Sequence, residues 1–493
     1  MEIKEASKVF EALEAKREKI AKIYKKSMRY YRNKNDILWN DKGDGTEKLD
    51  TQGSLADAST GLRVAKNRVS NGFHRIITDQ ATQYTGGVVP VIDVDDDAVN
   101  EKITETLGDN FDRYFTHLIT DANNAGIAWI HYWIDDKTNA FKYSVINPTQ
   151  ITAIYNDLLE HEIIAVRRTY EKLDTTDGEM YIHDEYWTDK EAFFFKRPKG
   201  TDYSQLVYDY KIPLYDTALN QVLDNAAQMT HDFGRVPFIP FSNNQESSAS
   251  LTRYKGLIDV YDRVFAGFVD DIDDVQQVIL TLTNYGGEEK SSAELLRKIK
   301  LEKVLKVDAL NPQDKAGLDT LTIDIPVEAR NALLDRTREA IFLQAQAVDP
   351  TKVEMGTNKS GVALKMLYSL LELKAAALES EFRPALAALI RAVMKYNNVQ
   401  DFETRKIEQT WTRAAIKDAA EMAQIISQLS DDTSTETKVK NNPLVEDPER
   451  ELEELDRERT EQRQNEDMFA NPQAMAQVQN DNQPDESVTD SNA

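Results

Sequence analysis

From Leu257 onward, apolar residues recur every three or four positions: Leu257, Tyr261, Val264, Phe268, Ile272, Val275, Ile279 and Leu282. Steps of three and four make one stripe along an α-helix. At 1.5 Å per residue, about 26 residues span roughly 40 Å, so the spacing predicts a single long helix. Gly286 and Gly287 stop it. The other side carries Asp259, Asp262, Asp270, Asp271, Asp273 and Asp274. Such a face has two readings. It is solvated, or the helices stand side by side in a ring closed by heterologous contacts, with the acids facing a lumen.

The rest of the chain is organised around this element. Phe10, Leu13, Ile20, Ile23 and Tyr24 give a helical period through about Asn33, with lysine and arginine on the remaining surface. That helix is a solvated amphipathic helix or a basic partner-binding face. DKGDGTEKLDTQGS (Asp41 to Ser54) reads as a loop. A helix is expected around Val64 to Thr85, and another from roughly Asn100 to Ala125, stopped by Gly126. The period then changes. GIAWIHYWIDD, FKYSVI, ITAIYN, IIAVRRTY, MYIHDEYWT and AFFFKR are short β-branched and aromatic runs between turn residues. They predict an antiparallel meander on a helical support. Asn220 to Asp232 reads as a linker, and VPFIPFSNN closes the region.

Beyond the acidic stripe comes a small unit: a short helix (Ser291 to Lys300), a strand (KVLKVD), a turn (NPQDKAG) and a strand (TLTIDI). Pro326 starts a second long helix, at a position where its missing N–H costs nothing, and that helix ends near Asp349-Pro350. A third runs from Val362 to about Tyr396, with Pro384 expected to kink or split it. A further helix is expected from about Thr410 to Ser430. Asp431 to Ala493 is acidic, rich in Gln and Asn and nearly free of aromatics, so it reads as helical in part and mostly disordered.

Between the second and third helices lies a polar loop that includes MGTNKSGVALK (Met355 to Lys365). Gly356 and Gly361 have the spacing that opens a phosphate-binding loop, G-x-x-x-x-G-K-[ST]. Val362 and Ala363 stand where the lysine and hydroxyl should be, and an amphipathic helix precedes the loop in place of a strand. The half of the motif that carries the chemistry is missing, so the loop is a flexible polar connection and no nucleotide or other cofactor is expected.

Other candidate chemistry fails in similar ways. His161-Glu162-Ile163-Ile164-Ala165 begins like a zinc-protease helix but lacks the second histidine. Asp93, Asp95, Asp96 and Asp97 form an acidic turn without the central glycine or bidentate glutamate of a calcium loop. The six histidines pair with no nucleophile in any motif. With no cysteine, disulfides, thiolate zinc sites and cysteine nucleophiles are excluded, as fits a cytoplasmic assembly. No apolar run approaches ~18 residues, so no membrane span is expected, and the N-terminus is too charged for a signal peptide. Nothing supports catalysis. The formal net charge is -25, with 15 acids and 4 bases in Pro443 to Ala493, whereas Met1 to Asp36 holds 11 bases and 6 acids. Such acidity argues against tight wrapping of DNA but not against a brief, repelled encounter.

The order of the parts resembles the portal proteins (head-to-tail connectors) of tailed bacteriophages, of the type found in long-tailed phages of Gram-positive bacteria. The stretches that carry the resemblance are NRVSNGFHRIITDQATQYTGGVVPV, AGIAWIHYWIDD and FKYSVINPTQITAIYND. They continue with VPFIPFSNNQESSASLTRYKGLIDVYDRVFAGFVDDIDDVQQVILTLTNYGG and GTNKSGVALKMLYSLLELKAAALESEFRPALAALI. Together they cover about Asn67 to Tyr396; no single motif is specific, and the order carries the weight.

The resemblance implies an α+β, mainly helical portal fold and a dodecameric ring at one capsid vertex, assembled in the host cytoplasm. Double-stranded DNA would be packaged and ejected through it. Residues 1–45 form an N-terminal amphipathic helix and loop, 46–255 the α/β wing, 256–287 and 326–349 the stem helices, and 288–325 the clip. Residues 350–361 form the tunnel loop, 362–430 the crown helices and 431–493 the tail. Implied partners are the terminase large subunit, the head-tail adaptor, and the major capsid and scaffolding proteins, with no membrane. Asp259, Asp262, Asp270 and Asp273 would line the channel, Lys352, Asn358 and Lys359 would meet DNA, and Gly356 and Gly361 would be the loop's hinges. Two other function classes stay open at this level. One is a non-ring helical scaffold or adaptor; the other is a packaging NTPase, against which the broken phosphate loop counts.

Overall fold

A computed structural model describes residues 1–39, 67–135, 137–159, 161–210, 214–223, 225–275, 279–283, 317–321, 326–351, 361–414, 434–440, 451–452 and 454–460. The chain divides into two compact units, residues 1–358 with 365–414, and residues 359–364 with 415–493.

The expected N-terminal helix is α1 (Ile3–Tyr31). The next, α2, is shorter than its predicted range and spans Phe73–Gly86. Residues 67–72 are not helical, because the Asn71 amide is taken by an Asp262 carboxylate in place of a helical carbonyl. A short strand β1 (Val91–Asp93) leads to α3 (Asp97–Leu107) and α4 (Phe111–Ala125). A single helix is expected from about Asn100 to Ala125. Gly108, at φ +61°, breaks it into α3 and α4. The acidic turn does local work here: Asp96 caps α3 by accepting from the Val99 amide, and its carboxylate pairs with Arg405. Gly126 ends α4 at φ +91°, as expected, and a Cβ there would fall 2.1 Å from the Ser247 carbonyl oxygen.

The predicted strands follow: β2 (Ile127–Ile134), β3 (Phe141–Ile146), β4 (Ile151–Tyr155), β5 (Ile163–Leu173), β6 (Met180–Trp187) and β7 (Glu191–Pro198). Then come β8 (Val207–Tyr208), β9 (Leu214–Asp216), β10 (Gln221–Leu223), β11 (Gln228–Thr230) and β12 (Phe238–Ser242). The stretch read as a linker therefore contains β10 and β11. β4 to β7 form an antiparallel meander, extended to six strands by β11 and β8 on β7. A second sheet runs β12-β2-β3, and β9 pairs with β10.

Alternation along the strands sets the layers. In β7, Phe193 and Phe195 face Phe10 of α1, while Ala192 and Phe194, with Trp187 of β6, face Trp129 and Phe238 of the smaller sheet. In β2 and β12, Ala128, Ile130, Tyr132, Ile239 and Phe241 turn the other way onto α4, whose Phe111, Phe115, Leu118, Ile119 and Ala122 share one helical face. The order is helix α1, large sheet, small sheet, helices.

The long helix α5 covers Lys255–Val275, shorter than the apolar stripe suggested. Ile279–Thr283 is a strand, β13, paired with β14 (Gly317–Leu321). The run ILTLT fits a period of two (Leu280, Leu282) as well as a helical step of three (Ile279, Leu282), and pairing across the sheet decides between them. Of the small predicted unit, only β14 falls among the described residues. The next helix, α6, covers Val327–Ala345 and ends with Gln346 in the left-handed conformation, before Asp349. α7 (Gly361–Tyr396) runs unbroken through Pro384. A proline inside a helix costs about 3 kcal/mol. Leu386, Leu389, Ile390, Val393 and Met394 beyond it are fully buried in the α4 core, at about 1.5–3 kcal/mol each, so the packing holds the helix together. The helix expected from Thr410 does not begin there: Glu408–Thr410 is strand β15, paired with β1, and residues 415–430 lie outside the described residues. In the second unit, α8 (Thr435–Lys440) is described; the remaining tail expectation lies largely outside them.

α1 is fastened to the large sheet by Arg167 of β5, whose side chain is wholly buried. Its guanidinium donates to Asp184 Oδ1 at 2.9 and 2.7 Å, to the Phe10 carbonyl at 2.9 Å, to Glu14 at 3.2 Å and to the Tyr203 hydroxyl at 2.8 Å. Burial pushes the Glu14 carboxyl up, but Arg17, Tyr203 and Arg167 outweigh it and hold it at about 2. Removing one partner of a buried pair leaves the other charge uncompensated, at about 3–5 kcal/mol. Arg167→Ala is therefore expected to destabilise the protein by about that amount in denaturant titration, whereas a loss under 1 kcal/mol would show that the clamp is unimportant.

Candidate functional site

The aspartates of α5 do not form one uniform solvated face. Asp262 is fully buried. Its carboxylate accepts from Asn35 Nδ2 at 2.6 Å, from the Asn71 amide at 3.0 Å and from Asn71 Nδ2 at 2.7 Å. Burial pushes this carboxyl up, the asparagine donors oppose that, and Asp259 adds a like charge. The expectation that Asp262 lines a channel is thus corrected. A side chain facing away from solvent, with three donors on it, is a tether for the segments around Asn35 and Asn71.

The other three acids are accessible to different degrees. Asp259 is half-buried, accepting from Tyr30 Oη at 2.5 Å and Lys255 Nζ at 2.6 Å. Lys255 also pairs with Asp36 at 2.7 Å. Asp270, half-buried, accepts from the Asn67 amide at 2.5 Å, and exposed Asp273 accepts from Asn67 Nδ2 at 2.7 Å. Asp271 pairs with Arg330 of α6. Asp259 and Asp270 meet Arg68 and Arg263 around an open cavity of about 540 Å³. These contacts bind the N-terminal segment to α5 and leave Asp273 the most accessible of the four.

Lys352, Gly356, Asn358 and Lys359 lie outside the described residues, and Gly361 is the first residue of α7. The entry to their loop is fixed by groups the sequence reading missed. Arg338 of α6 forks onto Asp349 at 2.9 and 2.8 Å. Asp349 Oδ1 also accepts from the Thr351 amide and hydroxyl at 3.1 and 2.9 Å. Burial raises the Asp349 carboxyl, but Arg338 and Thr351 outweigh it, so it stays below the usual carboxylate range. Gln80 of α2 holds both backbone groups of Val348, at 2.8 and 3.1 Å. The Asp-Pro-Thr sequence is a legible turn signal; Gln80, 268 residues away, carries none. On α7, Glu372 accepts from Tyr84 at 2.7 Å and from Arg413 at 3.1 Å. Among the described residues, no three acidic or histidine side chains are grouped to hold a metal, and no helix is long and apolar enough to cross a membrane.

Residues 11–465 match the family model "Phage portal protein, SPP1 Gp6-like". The chain belongs to this family of phage portal proteins. It is 36% identical over 461 residues to the portal protein of Clostridium phage phiCD119, covering 91% of this chain and 94% of that one. It is 30% identical over 440 residues to the portal protein of Bacillus phage SPP1, covering 88% and 83%. Among solved structures, it is similar to a chain of the neck of an empty gene transfer agent particle computed with C6 symmetry. The TM-score is 0.44 at 12% identity, over 75% of this chain and 90% of that one. The family match takes in α5 and the whole of residues 350–361.

The unequal burial of the aspartates separates tethering from surface roles. Asp262→Ala leaves buried donors unpaired and is expected to cost about 1–3 kcal/mol, whereas Asp273→Ala stays within about 0.5 kcal/mol. Equal effects in denaturant titration would contradict the assignment.

Proposed function

We propose that this chain assembles into a closed, twelve-membered ring at one vertex of a phage capsid and forms the channel through which double-stranded DNA is packaged and ejected. The observation that carries the proposal is the family match over residues 11–465, nearly the whole chain. In this reading residues 46–255 form the wing, α5 and α6 the stem, 288–325 the clip and 362–430 the crown. The ring docks the terminase large subunit during packaging and the head-tail adaptor afterwards, and it contacts major capsid and scaffolding proteins during assembly. It performs no catalysis itself.

Charge gives the channel its physics. Asp259 is neutralised by Lys255, so Asp270 and Asp273 repel phosphate, and at a screening length of ~8 Å the repulsion acts only near the wall, so a duplex stays centred and slides. Lys352 and Lys359, with Asn358, touch it at a polar loop whose glycines Gly356 and Gly361 make a conformational change cheap. The scaffold around Asp349 and Val348 suits a loop that moves from a fixed base.

Native mass of the purified 56.1-kDa chain, with negative-stain imaging of the same species, tests the assembly. A closed ring with a hole of about duplex width is expected. A lasting monomer or dimer across salt and protein concentration would favour the scaffold or adaptor reading. Independently, particles carrying Lys352→Ala and Lys359→Ala are expected to package or retain less full-length DNA, and normal packaging and retention would remove the loop from the mechanism.

A further inference from the structure

A dense run of basic charge lies on α1 and the residues just after it. From Lys16 to Lys34 there are nine bases and one acid, in a chain of net charge -25. The apolar side of α1 is consumed by Phe10 on the large sheet and Tyr30 on the α5 core. Lys19, Lys22, Lys25, Lys26 and Arg32 lie on the exposed side. Lys19, Lys22 and Lys26 fall at steps of three and four, so they share one face.

The acids within reach are mostly engaged elsewhere. Glu14 is held by Arg17, Arg167 and Tyr203, and Asp36 by Arg29 and Lys255. Asp79 is bound by Tyr31 and Asp121 by Tyr24. Among the described residues, Glu18 lies along the stripe, 3.4 Å from Lys22 with both side chains largely exposed, a pairing of little energetic weight.

We propose that this stripe is an outer binding surface for the phosphate backbone of double-stranded DNA, separate from the channel residues and independent of ring formation. From Lys19 to Arg32 the stripe runs roughly 20 Å. A duplex laid along it presents about six phosphates per strand at 3.4 Å each, enough to engage the four lysines Lys19, Lys22, Lys25 and Lys26. An acidic protein would supply charge too, but a stable protein interface has an apolar or aromatic centre. Among the described residues no large apolar side chain of α1 is exposed. A surface of charge alone suits a partner recognised without sequence, through counterion release.

The test uses the full-length protein and nicked circular plasmid DNA, which cannot thread a preformed closed ring. Binding is measured between 50 and 200 mM salt. About four phosphate contacts predict an affinity that falls by about two orders of magnitude over that range. Changing Lys19, Lys22, Lys25 and Lys26 together to Gln is expected to weaken binding at 50 mM salt at least tenfold. Changing the same four to Arg, or making Lys352→Ala and Lys359→Ala, should leave it unchanged. The proposal is overturned if the protein does not bind the plasmid at 50 mM salt, or if the Gln and Arg sets bind alike. Preference for polyglutamate over the plasmid would assign the stripe to an acidic protein and also overturn it.

Discussion

The buried guanidinium of Arg167 is the point on which the layered architecture depends. It joins β5 to β6 through Asp184, and it reaches out of the sheet to the Phe10 carbonyl and Glu14 of α1. Desolvating an arginine is costly, and the cost is offset by filling its donors with two carboxylates, a carbonyl and a phenol. The other end of α1 is held by a second buried polar knot. Asn35, just past the helix, donates to Asp262 of α5. A helix of 29 residues, about 43 Å long, is thereby fixed to the large sheet at one end and to α5 at the other. The same two attachments use up its apolar side and turn its lysines outward.

Much of this was legible in the sequence, for identifiable reasons. The β-branched and aromatic runs AFFFKR and IAWIHYW marked strands, and they are continuous because both sides of these strands are buried and each side chain has a core to enter. The stop at Gly126 was legible because only glycine tolerates that close approach of the Ser247 carbonyl. The errors arose where tertiary contacts overrode a local signal. Gly108 falls inside the single helix expected from about Asn100 to Ala125 and is the end of α3. Pro384 looked like a break and is carried by the core beyond it. The stripe of α5 extended into ILTLT, where a strand partner 38 residues on in the chain decides the outcome.

The aspartate face shows the same limit at the candidate site. Period alone places Asp259, Asp262, Asp270 and Asp273 on one side of a helix, but period does not say what lies against that side. Asn35 and Asn71 arrive there from distant parts of the chain and bury Asp262, while Asp273 stays in solvent. A charge stripe is thus a statement about geometry, and its role depends on which charges the fold leaves free. The family relationship, by contrast, was legible because it rests on the order of five stretches and not on any one side chain.

The central claim is a ring whose bore is formed by α5 and the polar loop after α6. The most direct measurement is an electron cryomicroscopy map of the assembled protein. The account predicts a closed ring of about duplex bore, with residues 350–361 nearest the axis, Asp270 and Asp273 facing the lumen, and the β4–β7 sheet and α1 outside. An open filament, or a closed ring lined by that sheet with α5 at its periphery, would contradict it.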